Sequence, residues 1–214
     1  MYDRITAINE PVFLKVQSRG NFFAEGGQRV TLSLDDETTF NLMTGGDGYG
    51  YVKYTPSAAG RYKIRVVPDD GSSEAILLVV APEDGIILIE TEMLLKSGIL
   101  TPEQKESAQQ VLDNLSRDYH LLYTTRFLGA ASAKQMLKSM KFPASLTLEG
   151  SIPDIYKQLS DSNLKVRAIV GSSGSFAGSI KDSTLCLTFD QTEKGTTVED
   201  WNQIQKILSA KQHP

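Results

Sequence analysis

Cysteine and histidine are almost missing from this chain, with one cysteine and two histidines in 214 residues. A lone Cys186 closes no internal disulfide and forms no CxxC metal or redox pair. Within the alternating run "TLCLTF" it reads as a small buried hydrophobe in a strand. His120 opens an apolar strand and His213 lies next to the C-terminal residue. Two such histidines leave no material for a histidine-built zinc centre and argue against a Ser–His–Asp arrangement. Long apolar runs are lacking too: none approaches the ~20 residues that span a bilayer, so no transmembrane segment is expected. The N-terminus shows no basic stretch followed by an apolar one, so no signal peptide is expected, and the compartment stays open. Finally, an excess of basic charge is absent. The chain carries 22 Lys and Arg against 26 Asp and Glu, 8 against 10 in residues 1–82 and 14 against 16 in residues 83–214. A protein that neutralises several phosphates shows a basic surplus, so nucleic acid is not an expected partner.

What is present divides into two halves of different period. Up to residue 80 the sequence offers short runs rich in β-branched and aromatic residues, "VFLKVQ", "RVTLSL", "TTFNLM", "YGYVKYT", "RYKIRVV" and "AILLVV", separated by Gly, Asp and Pro. Such spacing predicts antiparallel strands. Tyr51, Tyr62, Ile64 and Val66 are the expected inward positions of two of them, alternating with polar partners. Six or seven strands imply a small β-sandwich over residues 1–82. The boundary falls at "APEDG", Ala81 to Gly85.

From Gly85 strands and helices alternate. Thr101, Pro102 and Gln104 read as a helix start with N-cap, first-turn proline and capping-box glutamine, followed by Ala108, Val111, Leu112 and Leu115 at helical spacing. "HLLYTT", "SLTL", "VRAIVG" and "TLCLTF" read as strands. Ala133, Met136, Leu137 and Met140 mark a second helix, Pro153 to Leu159 a third, and Thr197 is the expected cap of a fourth carrying Trp201, Ile204, Ile207 and Leu208. This order predicts a parallel sheet with a Rossmann-like α/β layer over residues 83–214. Ligands of such sheets bind beyond the carboxyl ends of the strands. Those ends are expected at Glu90-Thr91-Glu92, Thr124-Thr125-Arg126, Glu149-Gly150-Ser151 and Gly171-Ser172-Ser173.

The segment "DGYGYVKYTPSAAGRYKIRVV" resembles bacterial and filamin-like immunoglobulin repeats, which implies an all-β immunoglobulin-like sandwich and no particular ligand. "GIILIETEMLL", "LLYTTR", "SIPDIYK" and "AIVGSSGSF" follow in the order of the four motifs of the haloacid-dehalogenase-like phosphohydrolases. The second half therefore resembles a HAD-like three-layer domain, with lipin-type phosphatidate phosphatases and domains of phosphatidylinositol-transfer proteins as the nearest kin through "YTTRFLGAASA". The resemblance implies Glu90 in the nucleophile's place, Glu92 in that of the acid/base, and Thr125 or Thr124 holding the phosphoryl group. Lys157 is a doubtful third-motif lysine. Ser172 stands where a metal-binding Asp belongs, and no acid follows before Asp182.

These departures shape the functional expectation. Glutamate in place of aspartate carries the carboxylate out by one methylene, and a ~1 Å misplacement of a reacting group can lower a rate ~100-fold. A lost metal-binding acid weakens a Mg²⁺ clamp. The leading expectation is a non-catalytic binding or scaffolding module, without cofactor, that takes a phosphate or phospholipid headgroup on Thr124, Arg126, Lys134 and Ser172. Lys134, Lys138 and Lys141 share one helical face, which also reads simply as a solvated surface. "GSSGSFAGS" could cradle an anion on its backbone N–H groups or serve as a plain connection. The first alternative is a Mg²⁺-dependent lipid-phosphatase-like enzyme using Glu90 and Glu92 as catalytic and metal-binding acids. The second is a structural spacer or adhesive segment, with the glutamates as idle strand-end carboxylates. A protein partner through the first half is a further expectation.

Overall fold

The computed structural model describes residues 3–18, 26–35, 37–67, 74–96, 103–176 and 180–210. The chain divides into two compact units, Met1–Pro82 and Glu83–Pro214.

The first unit contains β1 (Arg4–Ala7), β2 (Val12–Gln17), β3 (Arg29–Leu34), β4 (Thr38–Met43), β5 (Tyr49–Tyr54), β6 (Gly60–Val67) and β7 (Ala75–Val80). Five of these form one sheet in the order β1-β7-β6-β3-β4, while β2 and β5 form a separate two-stranded antiparallel ribbon. Apolar residues at alternate positions build the core between them: Leu14 and Val16 from β2, Leu32 and Leu34 from β3, Ile64 from β6, Leu77 and Val79 from β7. On β5 the inward residues are Gly50, Val52 and Tyr54, and Tyr51 points out, 53% exposed. This reverses the expected direction of Tyr51. A Cβ at position 50 would run into the Leu42 side chain, so the strand presses its glycine, not its tyrosine, against the core.

The second unit contains β8 (Gly85–Glu90), α1 (Ala108–Leu115), β9 (Tyr119–Thr125), α2 (Ala130–Ser139), β10 (Leu146–Glu149), α3 (Ile152–Asp161), β11 (Val166–Val170), β12 (Leu185–Thr188), β13 (Thr196–Thr197) and α4 (Trp201–Ala210). Its six strands form one all-parallel sheet in the order β10-β9-β8-β11-β12-β13. All six residues of β8 are buried, as expected of a central parallel strand whose sequence, "GIILIE", is apolar almost throughout. Ile87 and Ile89 pack with Val111 and Leu112 of α1 and with Trp201 and Ile204 of α4.

The expected fold class, a HAD-like three-layer Rossmann domain behind an immunoglobulin-like sandwich, is corrected by this architecture. Strands predominate, thirteen against four α-helices among the described residues. In the first unit the short strand β1 pairs parallel with β7, and only a two-stranded ribbon faces the larger sheet. That is not a sandwich of two antiparallel sheets. In the second unit the described residues joining β11 to β12 form a 3-10 turn, Ser173–Phe176, and those joining β12 to β13 form no helix. The composition explains this. Gly171, Ser172, Ser173, Gly174 and Ser175 are poor helix formers, through backbone entropy and side chains that compete for backbone hydrogen bonds.

Smaller corrections follow from local chemistry. Thr101 and Pro102 lie outside the described residues, and Gln104 pairs with Leu95 in an isolated bridge instead of capping a helix. Helix α1 begins after Ser107, which adopts φ 61°. Thr197 lies in β13, and the cap of α4 is Asp200, whose carboxylate accepts from the Gln203 N–H at 2.8 Å. Lys141 lies beyond the end of α2 with φ 59°, so it does not continue the face of Lys134 and Lys138.

Candidate functional site

Parallel strands bring their carboxyl ends to one edge of the sheet, and Glu90, Thr125, Glu149 and the Gly171–Ser172 turn meet there. Glu90 closes β8 with only 2% of its surface exposed. Its Oε2 accepts from the Ser172 N–H at 2.7 Å, and the Ser175 hydroxyl lies 3.0 and 3.1 Å from its two carboxylate oxygens. The Ser175 and Ser172 hydroxyls are 2.8 Å apart. Arg126 adds a guanidinium nitrogen 3.7 Å from Glu90 Oε1. A buried carboxylate with this many donors is a clamp: it ties the end of β8 to the turn after β11.

Glu92 does not share that environment. The chain leaves the strand at Thr91 and enters a 3-10 turn, Thr91–Leu94, so the two-residue spacing that would align the glutamates on a strand no longer applies. One Glu92 oxygen accepts from the Thr91 hydroxyl at 3.1 Å, and the other is buried without a hydrogen-bond partner. The Thr125 hydroxyl is occupied within its own turn, donating to the Leu128 carbonyl at 2.8 Å and accepting from the Leu128 N–H at 3.1 Å. Thr124, opposite Glu90 in the sheet register, is wholly buried, and its hydroxyl has no partner.

The Glu90 carboxylate, as it is held here, does not fit a Mg²⁺ shell. A Mg²⁺ site needs carboxylate oxygens free to enter an octahedral shell, and here those of Glu90 accept hydrogen bonds from the protein itself. No group of three or more His, Cys, Asp or Glu side chains that could hold a metal occurs among the described residues.

Beside the clamp lies a cavity of about 430 Å³ lined by Thr125, Arg126, Phe127, Gly129, Glu149 and Ser151. Arg126 stands at this cavity with its guanidinium 5.6 Å from the centre of the Phe127 ring, itself 69% exposed. Glu149 accepts from the Ala130 N–H at 2.6 Å and so supplies the negative group at the N-terminus of α2. Of the expected anion-binding residues, only Arg126 lines this cavity. Lys134 sits in the second turn of α2, the Ser172 N–H serves Glu90, and Thr124 is covered. Lys157 is an exposed residue of α3. Glu149 stands at one of the expected strand ends, though no role was expected of it, and Ser175 lies within the Gly171–Ser179 run. Glu149 at a strand end was a visible signal, whereas Ser175 lies 85 residues from its partner.

Burial perturbs three groups of this unit. It holds the Tyr123 phenol far above its ordinary value and pushes the Cys186 thiol up, which leaves that thiol a poor nucleophile. Lys105, whose ammonium lies 3.7 Å over the Phe189 ring, is lowered by desolvation, against the opposing pull of Asp190. A second cavity, about 570 Å³, opens beside Cys186 between Asp182 and Glu193. No described helix is long and apolar enough to cross a membrane.

No family model matches this chain, and no curated protein matches it. Among solved structures, a protein assigned as a glycoside hydrolase from Bacteroides vulgatus aligns over 57% of the chain at 13% identity and a TM-score of 0.28. A sialyltransferase from Photobacterium damsela aligns over 78% at 10% identity and a TM-score of 0.23. The chain spans 28% and 35% of the lengths of these two proteins. At such scores neither likeness defines a fold or an activity for this chain.

Proposed function

We propose that the second unit is a non-catalytic binding or scaffolding module whose crevice, at the carboxyl edge of the parallel sheet, takes an anionic group on Arg126. The observation that carries the non-catalytic part is the state of Glu90. A nucleophilic or metal-binding carboxylate must present an oxygen to its substrate, and here the side chain is buried and hydrogen-bonded by Ser172 and Ser175. The anionic part rests on Arg126, whose side chain is 45% exposed at the cavity and has five N–H donors in a planar fork. A phosphate or a phospholipid headgroup offers the matching oxygens.

The test is binding of inorganic phosphate, and of vesicles with and without phosphatidic acid, to the wild type and to Arg126→Ala, alongside hydrolysis of a phosphomonoester with Mg²⁺. A charge-assisted contact of ~1.5–3 kcal/mol corresponds to a loss of roughly 10- to 100-fold in affinity on removing Arg126. The expected hydrolysis is no faster for the wild type than for Glu90→Gln. Mg²⁺-dependent turnover that disappears in Glu90→Gln would replace this reading with the phosphohydrolase one. Phosphate binding indifferent to Arg126→Ala would remove the anion from it.

A further inference from the structure

The β2–β5 ribbon of the first unit presents a surface whose composition differs from that of the unit around it. Its register sets Phe13 opposite Lys53, Lys15 opposite Tyr51 and Gln17 opposite Tyr49. Because Val12, Leu14 and Val16 turn inward, strand alternation places these six side chains together on the outward face. Phe13 is 58% and Tyr51 53% exposed, two of the four large exposed hydrophobics among the described residues. They are diagonal neighbours across the two strands, as are Lys15 and Lys53, so rings and ammonium groups alternate like the squares of a chessboard. None of the six positions is acidic, although residues 1–82 carry 8 basic against 10 acidic residues.

We infer that this face docks an acidic, extended segment of a protein partner, with an apolar side chain seated on Phe13 and Tyr51 and carboxylates reaching Lys15 and Lys53. Charge selects the sign: two lysines and no acid among the six outward positions favour an anionic partner and disfavour a second copy of the same face. The rings select the kind of anion. Lys15 holds its ammonium 3.7 Å over the centre of the Tyr49 ring and 5.7 Å from that of Tyr51, so the Tyr49 face is already covered and is not offered to a nucleobase or a sugar. Phe13 and Tyr51 remain as anchors of the type that dominate protein interfaces. The ribbon's extent selects the size. Six residues span about 20 Å, enough for one extended segment and far short of the ~800 Å² per partner of a globular interface. This inference is independent of the Arg126 crevice.

The experiment titrates the full chain against a fluorescein-labelled peptide in which glutamate alternates with valine. The same peptide with lysine for glutamate, a 15-residue oligothymidine and polygalacturonate serve as competing probes. The expected result is salt-sensitive binding of the glutamate peptide alone. It should weaken about 10-fold or more in Tyr51→Ala and in the Lys15→Ala/Lys53→Ala double variant, and stay unchanged in Arg126→Ala. All four positions are on the surface, so circular dichroism should show the variants folded. A milder change, Tyr51→Ser, gives a second reading if Tyr51→Ala perturbs the ribbon. No binding of the glutamate peptide at millimolar concentration, or binding indifferent to Tyr51 and the lysines, overturns the inference. Stronger binding of oligothymidine or polygalacturonate through the same residues replaces the protein segment with that polymer.

Discussion

Replacing Glu90 by alanine separates a structural clamp from a catalytic acid, because the two roles predict opposite changes in stability. In the clamp, the Ser172 N–H loses its acceptor at 2.7 Å. A buried donor left without a partner costs about 1–3 kcal/mol. Ser175 loses the carboxylate but keeps the Ser172 hydroxyl at 2.8 Å, which limits that loss. Arg126, 3.7 Å away and half in solvent, adds less than ~1 kcal/mol. The sum for Glu90→Ala is a destabilisation of about 3 kcal/mol. Glu90→Gln keeps a carbonyl oxygen for the Ser172 N–H and loses only the charge assistance, about 1 kcal/mol. The chain's single tryptophan, Trp201, is 1% exposed in the core of the same unit, with Phe189 at 5.8 Å. Its fluorescence therefore follows the unfolding of this unit. With a slope of ~2 kcal/mol per M, the urea midpoint should fall by about 1.5 M for Glu90→Ala and about 0.5 M for Glu90→Gln at unchanged slope. Acids strained into active sites often give the reverse, a gain in stability when removed. A midpoint equal to or above that of the wild type in Glu90→Ala would refute the clamp.

Two further predictions concern the same unit. Tyr123 is buried and donates to the Pro143 carbonyl at 3.2 Å, and burial, followed by the Asp113 carboxylate, raises its pKa above the ordinary 10. The folded chain then keeps a proton that the unfolded chain releases. The contribution is complete below pH 10 and lost as pH climbs beyond it, at up to ~1.4 kcal/mol per pH unit. Tyr123→Phe should lose about 1 kcal/mol at neutral pH and decline less steeply in urea midpoints taken from pH 9 to 11, and a parallel decline would contradict the argument. Gly195 adopts φ 107°, and a Cβ there would stand 2.9 Å from the Cys186 carbonyl oxygen. Gly195→Ala should therefore lower stability by about 1–3 kcal/mol, and an unmoved thermal transition would show that the turn between β12 and β13 relaxes freely.

The elements that could be read from the sequence were those whose signal is local. The six β-like runs of the first half became β2 to β7 because alternation and turn residues lie within each run. Strand β1, "RITA", is too short to show a period and is defined by its parallel pairing with β7, more than 70 residues away. The direction of Tyr51 depended on what Gly50 meets across the core, the side chain of Leu42, which no window around Tyr51 contains. Glu90 was legible as a strand-end acid, but its partners Ser172 and Ser175 lie 82 and 85 residues further on. The pairing of Glu90 with Glu92 failed for a local reason: the strand ends between them. That the described residues between β11 and β12 form no α-helix was also foreshadowed locally, in a run of glycine and serine that reads as a loop as readily as a crossover.

The position of β8 also bears on how the protein is made. Its apolar sequence is the first strand of its sheet to be synthesised, yet it lies between β9 and β11 and is complete only when both have paired with it. Ser172, which closes the turn after β11, is translated 82 residues after Glu90. At ~5–20 residues per second that interval is roughly 4 to 16 s. Throughout it "GIILIE" offers an open hydrogen-bonding edge between two greasy faces, a template on which unfinished chains join one another. Synthesis that stalls between β10 and β11 leaves the β11 edge of β8 uncovered, and a fragment ending there is expected to aggregate more readily than the finished chain.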